Sequence, residues 1–232
     1  MRKICVFFAV LLAAVLSGCA KTPEYLTSND WIFCTDCNET IHFGSGGEFS
    51  YYCACGSPVG DSDLYDSYSF DENTGEVRLK PEGESFTVLR HDENRLLIDF
   101  GDRVKEFYNA GNDLLTCVSP QTGYDCDNRT AGYSSYVQIV GMKESLLVTA
   151  PAGYDGDDPE YRRLTMESET SDVAYSEWTL TLKDGEADSV YRDITEKEAA
   201  QIIDEGCGTA FIWYSHEGRI YKVMFFGSTQ YY

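Results

Sequence analysis

Nine cysteines carry most of the reactive chemistry in this 232-residue chain. Cys34-Thr35-Asp36-Cys37 and Cys53-Ala54-Cys55 lie on either side of the run Gly44-Ser45-Gly46-Gly47. Thiols at such spacings can crosslink, bind zinc as thiolates, or exchange electrons. If the flanking segments are antiparallel strands, Cys37 comes opposite the Cys53 to Cys55 stretch, and facing residues of such a pair approach within disulfide reach. Two disulfides stapling this hairpin are therefore expected in an exported domain. The alternative is a structural four-thiolate zinc site of Cys34, Cys37, Cys53 and Cys55, although Cys-x-Cys is tighter than the two to four residues that usually separate zinc thiolates. A redox pair would need its first cysteine at a helix amino terminus, whereas Cys37 leads into a strand-like segment. Cys117 and Cys126 form a further disulfide candidate across a turn-rich stretch. Cys207 is the odd thiol, set in a Gly206-Cys207-Gly208 turn.

Other chemistry is sparse. His42, His91 and His216 are the three histidines. None stands beside a nucleophile motif. There is no His-Glu-x-x-His helix and no phosphate loop, and the Gly44 to Gly47 run joins strand to strand. Asp155-Gly156-Asp157-Asp158-Pro159-Glu160 lacks the ligand alternation of a calcium loop and reads as a surface turn. No catalytic residue and no cofactor is assigned on these grounds. A non-catalytic binding or interaction module is the expected function, with an envelope hydrolase as the alternative. Tyr51, Tyr52, Tyr65 and Tyr68 are candidates for an aromatic binding cleft.

The elements that would position these residues are mostly strands. Tyrosine (17) and phenylalanine (12) are abundant, and the periodic segments alternate every second residue. Trp31 to Cys34 and Thr40 to Phe43 lead through the glycine run into Glu48 to Cys53, a hairpin pattern. Short strands follow at Tyr65 to Phe70, Glu76 to Leu79, Ser85 to Leu89, Arg95 to Phe100 and Lys105 to Tyr108. An up-and-down series of this kind makes a barrel or sandwich. Residues 113–132 are turn-rich and form the expected linker. Beyond it, Ser135 to Gly141, Leu146 to Ala150, Glu160 to Glu167 and Tyr175 to Leu182 read as strands. Thr195 with Glu198 makes a capping box ahead of one helix that Gly206 stops. Thr209 to Tyr214 and Arg219 to Phe226 form a last hairpin. The expectation is a mainly β protein: an antiparallel barrel-like domain over residues 29–112, and a small β-rich domain with one helix over residues 133–232. The second domain is either an OB-like barrel or a sheet with the helix across it.

The amino terminus carries an address. Met1-Arg2-Lys3 is positive, Ile4 to Leu16 is apolar but short for a membrane span, and Leu16-Ser17-Gly18-Cys19 closes the segment. These four residues resemble the lipobox of bacterial lipoproteins. The resemblance implies a signal peptide over residues 1–19, acyl chains on Cys19, and a mature chain held at the cell membrane or outer membrane, facing away from the cytoplasm, on a disordered tether over residues 20–29. Nothing after Cys19 has the length of an apolar membrane span. Loss of residues 1–19 would leave 16 basic against 39 acidic side chains, a formal charge of −23. That charge disfavours nucleic acid and anionic headgroups as partners. It leaves the membrane, through the lipid on Cys19, and an unidentified small ligand or protein.

Trp31 at the head of the first strand, the strand-glycine-strand pattern from Ile41 to Tyr52, and the meander from Tyr65 to Tyr108 resemble the lipocalin-like domains of small bacterial lipoproteins. The resemblance covers about a third of the chain and implies an up-and-down barrel. Asn29 stands where lipocalins usually carry a glycine.

Overall fold

A computed structural model describes residues 22–33, 39–53, 61–65, 67–81, 83–115, 132–183, 186–227 and 230–231. The chain is mainly β and forms two sheets. The first contains β1 (Trp31–Phe33), β2 (Glu39–Phe43), β3 (Phe49–Cys53), β4 (Asp61–Tyr65), β5 (Ser67–Asp71), β6 (Glu76–Lys80), β7 (Ser85–His91), β8 (Arg95–Asp99) and β9 (Val104–Asn109). Apart from β4 and β5, each pairs antiparallel with its neighbour in sequence, and β9 returns to pair with β1. The sheet's free edges are β4 and β5, which are nearly contiguous in sequence. On β5, Tyr68 N–H donates to Gly47 O, in the β2–β3 turn, at 2.7 Å. The result is a nearly closed up-and-down barrel.

Alternation decides what fills it. Trp31, Ile41, Phe43, Phe49, Val77, Phe86, Leu96, Ile98 and Phe107 all point inward and are buried. Phe43 meets Phe49, Tyr68 and Phe86 edge-on, with ring centroids 5.3, 5.4 and 6.3 Å away. Aromatic side chains therefore occupy the interior of the barrel.

One end of the barrel is met by a helical turn, α1 (Glu24–Thr27). Leu26 is fully buried in the barrel core, Trp31 Nε1 donates to its carbonyl at 3.2 Å, and Tyr25 stacks on His91 at 4.0 Å. This corrects the expectation of a disordered tether over residues 20–29: from Thr22 onward the segment belongs to the fold, because Tyr25 and Leu26 supply apolar surface that the barrel buries.

The second sheet contains β10 (Ser135–Lys143), β11 (Leu146–Pro151), β12 (Met166–Lys183), β13 (Glu186–Asp193), β14 (Thr209–Tyr214), β15 (Ile220–Phe226) and β16 (Gln230–Tyr231). β10 pairs with β11, β11 with β12, β12 in parallel with β15, β15 with β14, and β14 with β10. The circuit closes. With the helix lying between the third and fourth strands of the circuit, it is an OB-like barrel. β12 is long enough to serve twice. A register shift between Thr170 and Ala174, with Asp172 at φ 44°, bends it, and its second half pairs with β13. Outside the barrel, Phe211, Trp213 and Met224 form a second buried layer with Tyr136.

Two helical segments join these strands. Residues 160–167 do not form the expected strand throughout: Asp158 caps a helical turn, α2 (Pro159–Arg162), with proline at its first position, and extended chain resumes at Met166. The expected helix is α3 (Glu196–Asp204), opened by a reciprocal Thr195/Glu198 capping box. At its end, Gly206 (φ 77°) and Cys207 donate to the carbonyls of Ile203 and Ile202, each at 3.0 Å. This is the paired closure that a glycine in the left-handed region allows.

Candidate functional site

β8 and β9 have two buried faces, which is unusual for barrel strands. Inward-facing side chains complete the first core. Outward-facing Leu97 and Val104 belong to the core of the second barrel, packed with Val137, Ile139, Leu147, Ile220 and Phe225. The wall of one barrel thus seals the end of the other. At the β14–β15 turn, Gly218 lies so close that a Cβ there would sit 3.4 Å from Leu97 Cδ2.

A polar layer surrounds this apolar contact. Glu106 N–H donates to Ser134 O at 2.8 Å, and Tyr214 N–H donates to Ser134 Oγ at 3.0 Å. Tyr108 Oη donates to Glu106 Oε2 at 3.0 Å and lies 2.5 Å from Ser135 Oγ. A tyrosine has one proton to give, and the carboxylate oxygen takes it, so Ser135 donates to Tyr108. Arg95 Nη2 donates to Leu164 O, and the guanidinium lies 5.7 Å over the Tyr108 ring. Arg90 Nη2 donates to Ser168 Oγ at 3.3 Å, with its guanidinium 5.6 Å over the Tyr214 ring. At the rim, His216 Nδ1 and Asp99 Oδ2 stand 2.9 Å apart across the junction.

Electrostatics fix the protonation of the two tyrosines. Burial, and then the Glu106 charge, push the Tyr214 hydroxyl up to about 12 and the Tyr108 hydroxyl well above its usual range. Both remain neutral donors at any physiological pH. The layer ties the two guanidiniums and Tyr108 of the first barrel to Ser168, Leu164 and Ser135 of the second segment by hydrogen bonds. It positions the barrels.

The sequence pattern did not single out this layer. Its signal was present as charged residues inside strands: Arg95 opening Arg95-Leu96-Leu97-Ile98, and Glu106 ahead of Phe107. A charge on a strand normally marks a solvated face, and here a second barrel covers that face.

The residues singled out from sequence are scattered. Tyr68 lies inside the first core, Tyr51 and Tyr65 pack against it, and Tyr52 is exposed. The four do not form an open aromatic cleft. Tyr65 Oη donates to Glu84 Oε2 at 2.7 Å. His42 lies 2.6 Å from Asp30, and His91 is stacked on Tyr25. Cys53 ends β3, with its backbone opposite Asp61. Cys19, Cys34, Cys37, Cys55, Cys117 and Cys126 lie outside the described residues. Cys207 is a free, exposed thiol. Among the described residues, no group of three or more histidine, cysteine, aspartate and glutamate side chains is placed to hold a metal ion.

The second barrel also has an open cleft of about 550 Å³ between the β10–β11 turn, the bend of β12 and the start of α3, lined by Glu144, Asp172, Tyr175, Asp193 and Glu196 among others. Tyr175 Oη donates to Met142 Sδ at 3.4 Å. On the β11–β12 face, where OB-like barrels often take nucleic acids or sugars, Glu167 and Glu169 are exposed. No family model, curated protein or solved structure matches the chain.

Proposed function

We propose that this protein is an extracytoplasmic lipoprotein, anchored through acyl chains on Cys19, that serves as a non-catalytic binding module at the membrane surface. The observation that carries the reading is the run from Met1 to Cys19: a charged start, a short apolar stretch and Leu16-Ser17-Gly18-Cys19. Two acyl chains are enough for stable anchoring. The up-and-down order of β1 to β9 supports kinship with lipocalin-like domains. The rings that fill the first barrel favour recognition on the outer surface over enclosure of a ligand. The excess of acidic side chains favours a protein or cationic partner over nucleic acid.

Fractionation of cells expressing the wild type and Cys19→Ser tests the anchor. The wild type is expected in the membrane fraction, released by detergent and retained in high salt, with the variant in the soluble extracytoplasmic fraction. Equal partitioning of the two would refute the reading.

A further inference from the structure

The chain enters the first barrel at one end, and that end closes around it. Thr22 and Pro23 are half-buried, Leu26 is fully buried in the barrel core, and Trp31 Nε1 donates to the Leu26 carbonyl. Tyr25 lies flat on His91 beside them. The antiparallel registers bring three turns to this same end: Gly44 to Gly47 between β2 and β3, Glu72 to Gly75 between β5 and β6, and Asp92 to Asn94 between β7 and β8. The β8–β9 turn, Phe100 to Arg103, lies at the opposite end. β9 runs from that end back to the α1 end and covers about 20 Å in its six residues.

The connection from this end to Cys19 is short by comparison. The three steps from Cys19 to Thr22 reach about 11 Å when fully extended. From Thr22 onward the chain is packed into the barrel and adds no reach. A Cys19 sulfur held at the headgroup boundary by its acyl chains therefore keeps the entry point close to the lipid surface. That entry point lies within the ring of turns and not on the barrel wall, so the end as a whole is drawn to the surface.

We infer that the α1 end of the first barrel is the membrane-facing surface of the protein, and that the β8–β9 turn faces away. This rests on the acylation of Cys19 proposed above. Glu24, Glu48, Asp71, Glu72, Asp92 and Glu93 stand exposed around the entry point. An anionic leaflet repels such an end, so the surface it fits is a zwitterionic headgroup layer, and the tether supplies the orientation that adhesion does not. The opposite end of the barrel, toward which the exposed Tyr52 lies on β3, is left open to other molecules.

The test uses the full-length lipoprotein purified from membranes, with a fluorescent noncanonical residue in place of Asn73 or of Asp102. Both positions are exposed, one at each end of the barrel. The protein is reconstituted into phosphatidylcholine vesicles containing a lipid with a nitroxide on its headgroup. Quenching is expected to be several-fold stronger at position 73 than at position 102. Equal quenching, or stronger quenching at 102, in protein that floats with the vesicles would overturn the orientation and leave the anchor standing. Protein that does not float would remove both. A second variant carries about twelve glycine and serine residues inserted between Lys21 and Thr22, outside the packed segment, which adds a mean reach of about 20 Å. The two positions should then be quenched almost equally. A difference that survives the insertion would show that the short tether does not orient the barrel and would overturn the inference.

Discussion

Lys105 Nζ and the Glu39 carboxylate form a buried ion pair in the first barrel, at 2.7 and 2.5 Å to the two oxygens, with both side chains 7 % exposed. Lys105 Nζ also stands 4.8 Å over the Phe33 ring. A buried pair of this kind is costly to break and cheap to replace. Glu39→Ala, which strands the ammonium, should lose about 3–5 kcal/mol in urea unfolding. The double variant Glu39→Leu/Lys105→Met should recover most of that loss. A single variant as stable as the wild type would show that the pair is solvated.

Leu97 joins the two barrels thermodynamically as well as spatially. It lies on a strand of the first barrel and in the core of the second. Leu97→Ala should cost about 2–5 kcal/mol. Calorimetry should show one transition that moves down as a whole, because the cavity opens in a core both units share. Two separate transitions, with only one displaced, would mean that the barrels fold independently.

The α3 cap gives a pH dependence of known sign. Backbone and side-chain bonds from Thr195, with Arg192 beside it, lower Glu198 from 4.5 to about 2. A depressed carboxylate adds stability above its unfolded value and loses it as pH falls through the folded one. The stability difference between wild type and Glu198→Gln should be full above about pH 4.5 and gone near pH 2. Thr195→Ala should cost about 0.5–2 kcal/mol at neutral pH. Melting temperatures across this range check both.

Buried tyrosines act at the other end of the scale. Tyr25 and Tyr214 are both raised to about 12 from 10. A raised phenol contributes stability that is intact below 10 and lost as pH rises through the folded value. Alkaline unfolding should therefore set in between pH 10 and 12, and less steeply in Tyr25→Phe. Absorbance titration should show these phenols ionising only as the chain unfolds.

Much of this architecture was legible in the chain. Two-residue alternation around the Gly44 to Gly47 turn and along Glu76 to Leu79 marks strands because each has one apolar and one solvated side. Thr195 with Glu198 marks α3 because its capping is local. β13 was not legible: Glu186 to Asp193 carries few apolar residues and owes its extended form to β12. Leu26 was not legible either, since a single helical turn has no periodicity to detect. The junction was least legible, because Arg95 and Glu106 look like surface charges until a segment about a hundred residues downstream in the chain, around Tyr214, covers them.

The most direct test of the proposed function is the intact mass and amino-terminal peptide of the protein extracted from membranes. A chain that begins at Cys19 and carries a diacylglyceryl group on its sulfur is the expected result. A chain cut elsewhere, or one beginning at Cys19 with no added lipid mass, would contradict the anchored-module reading.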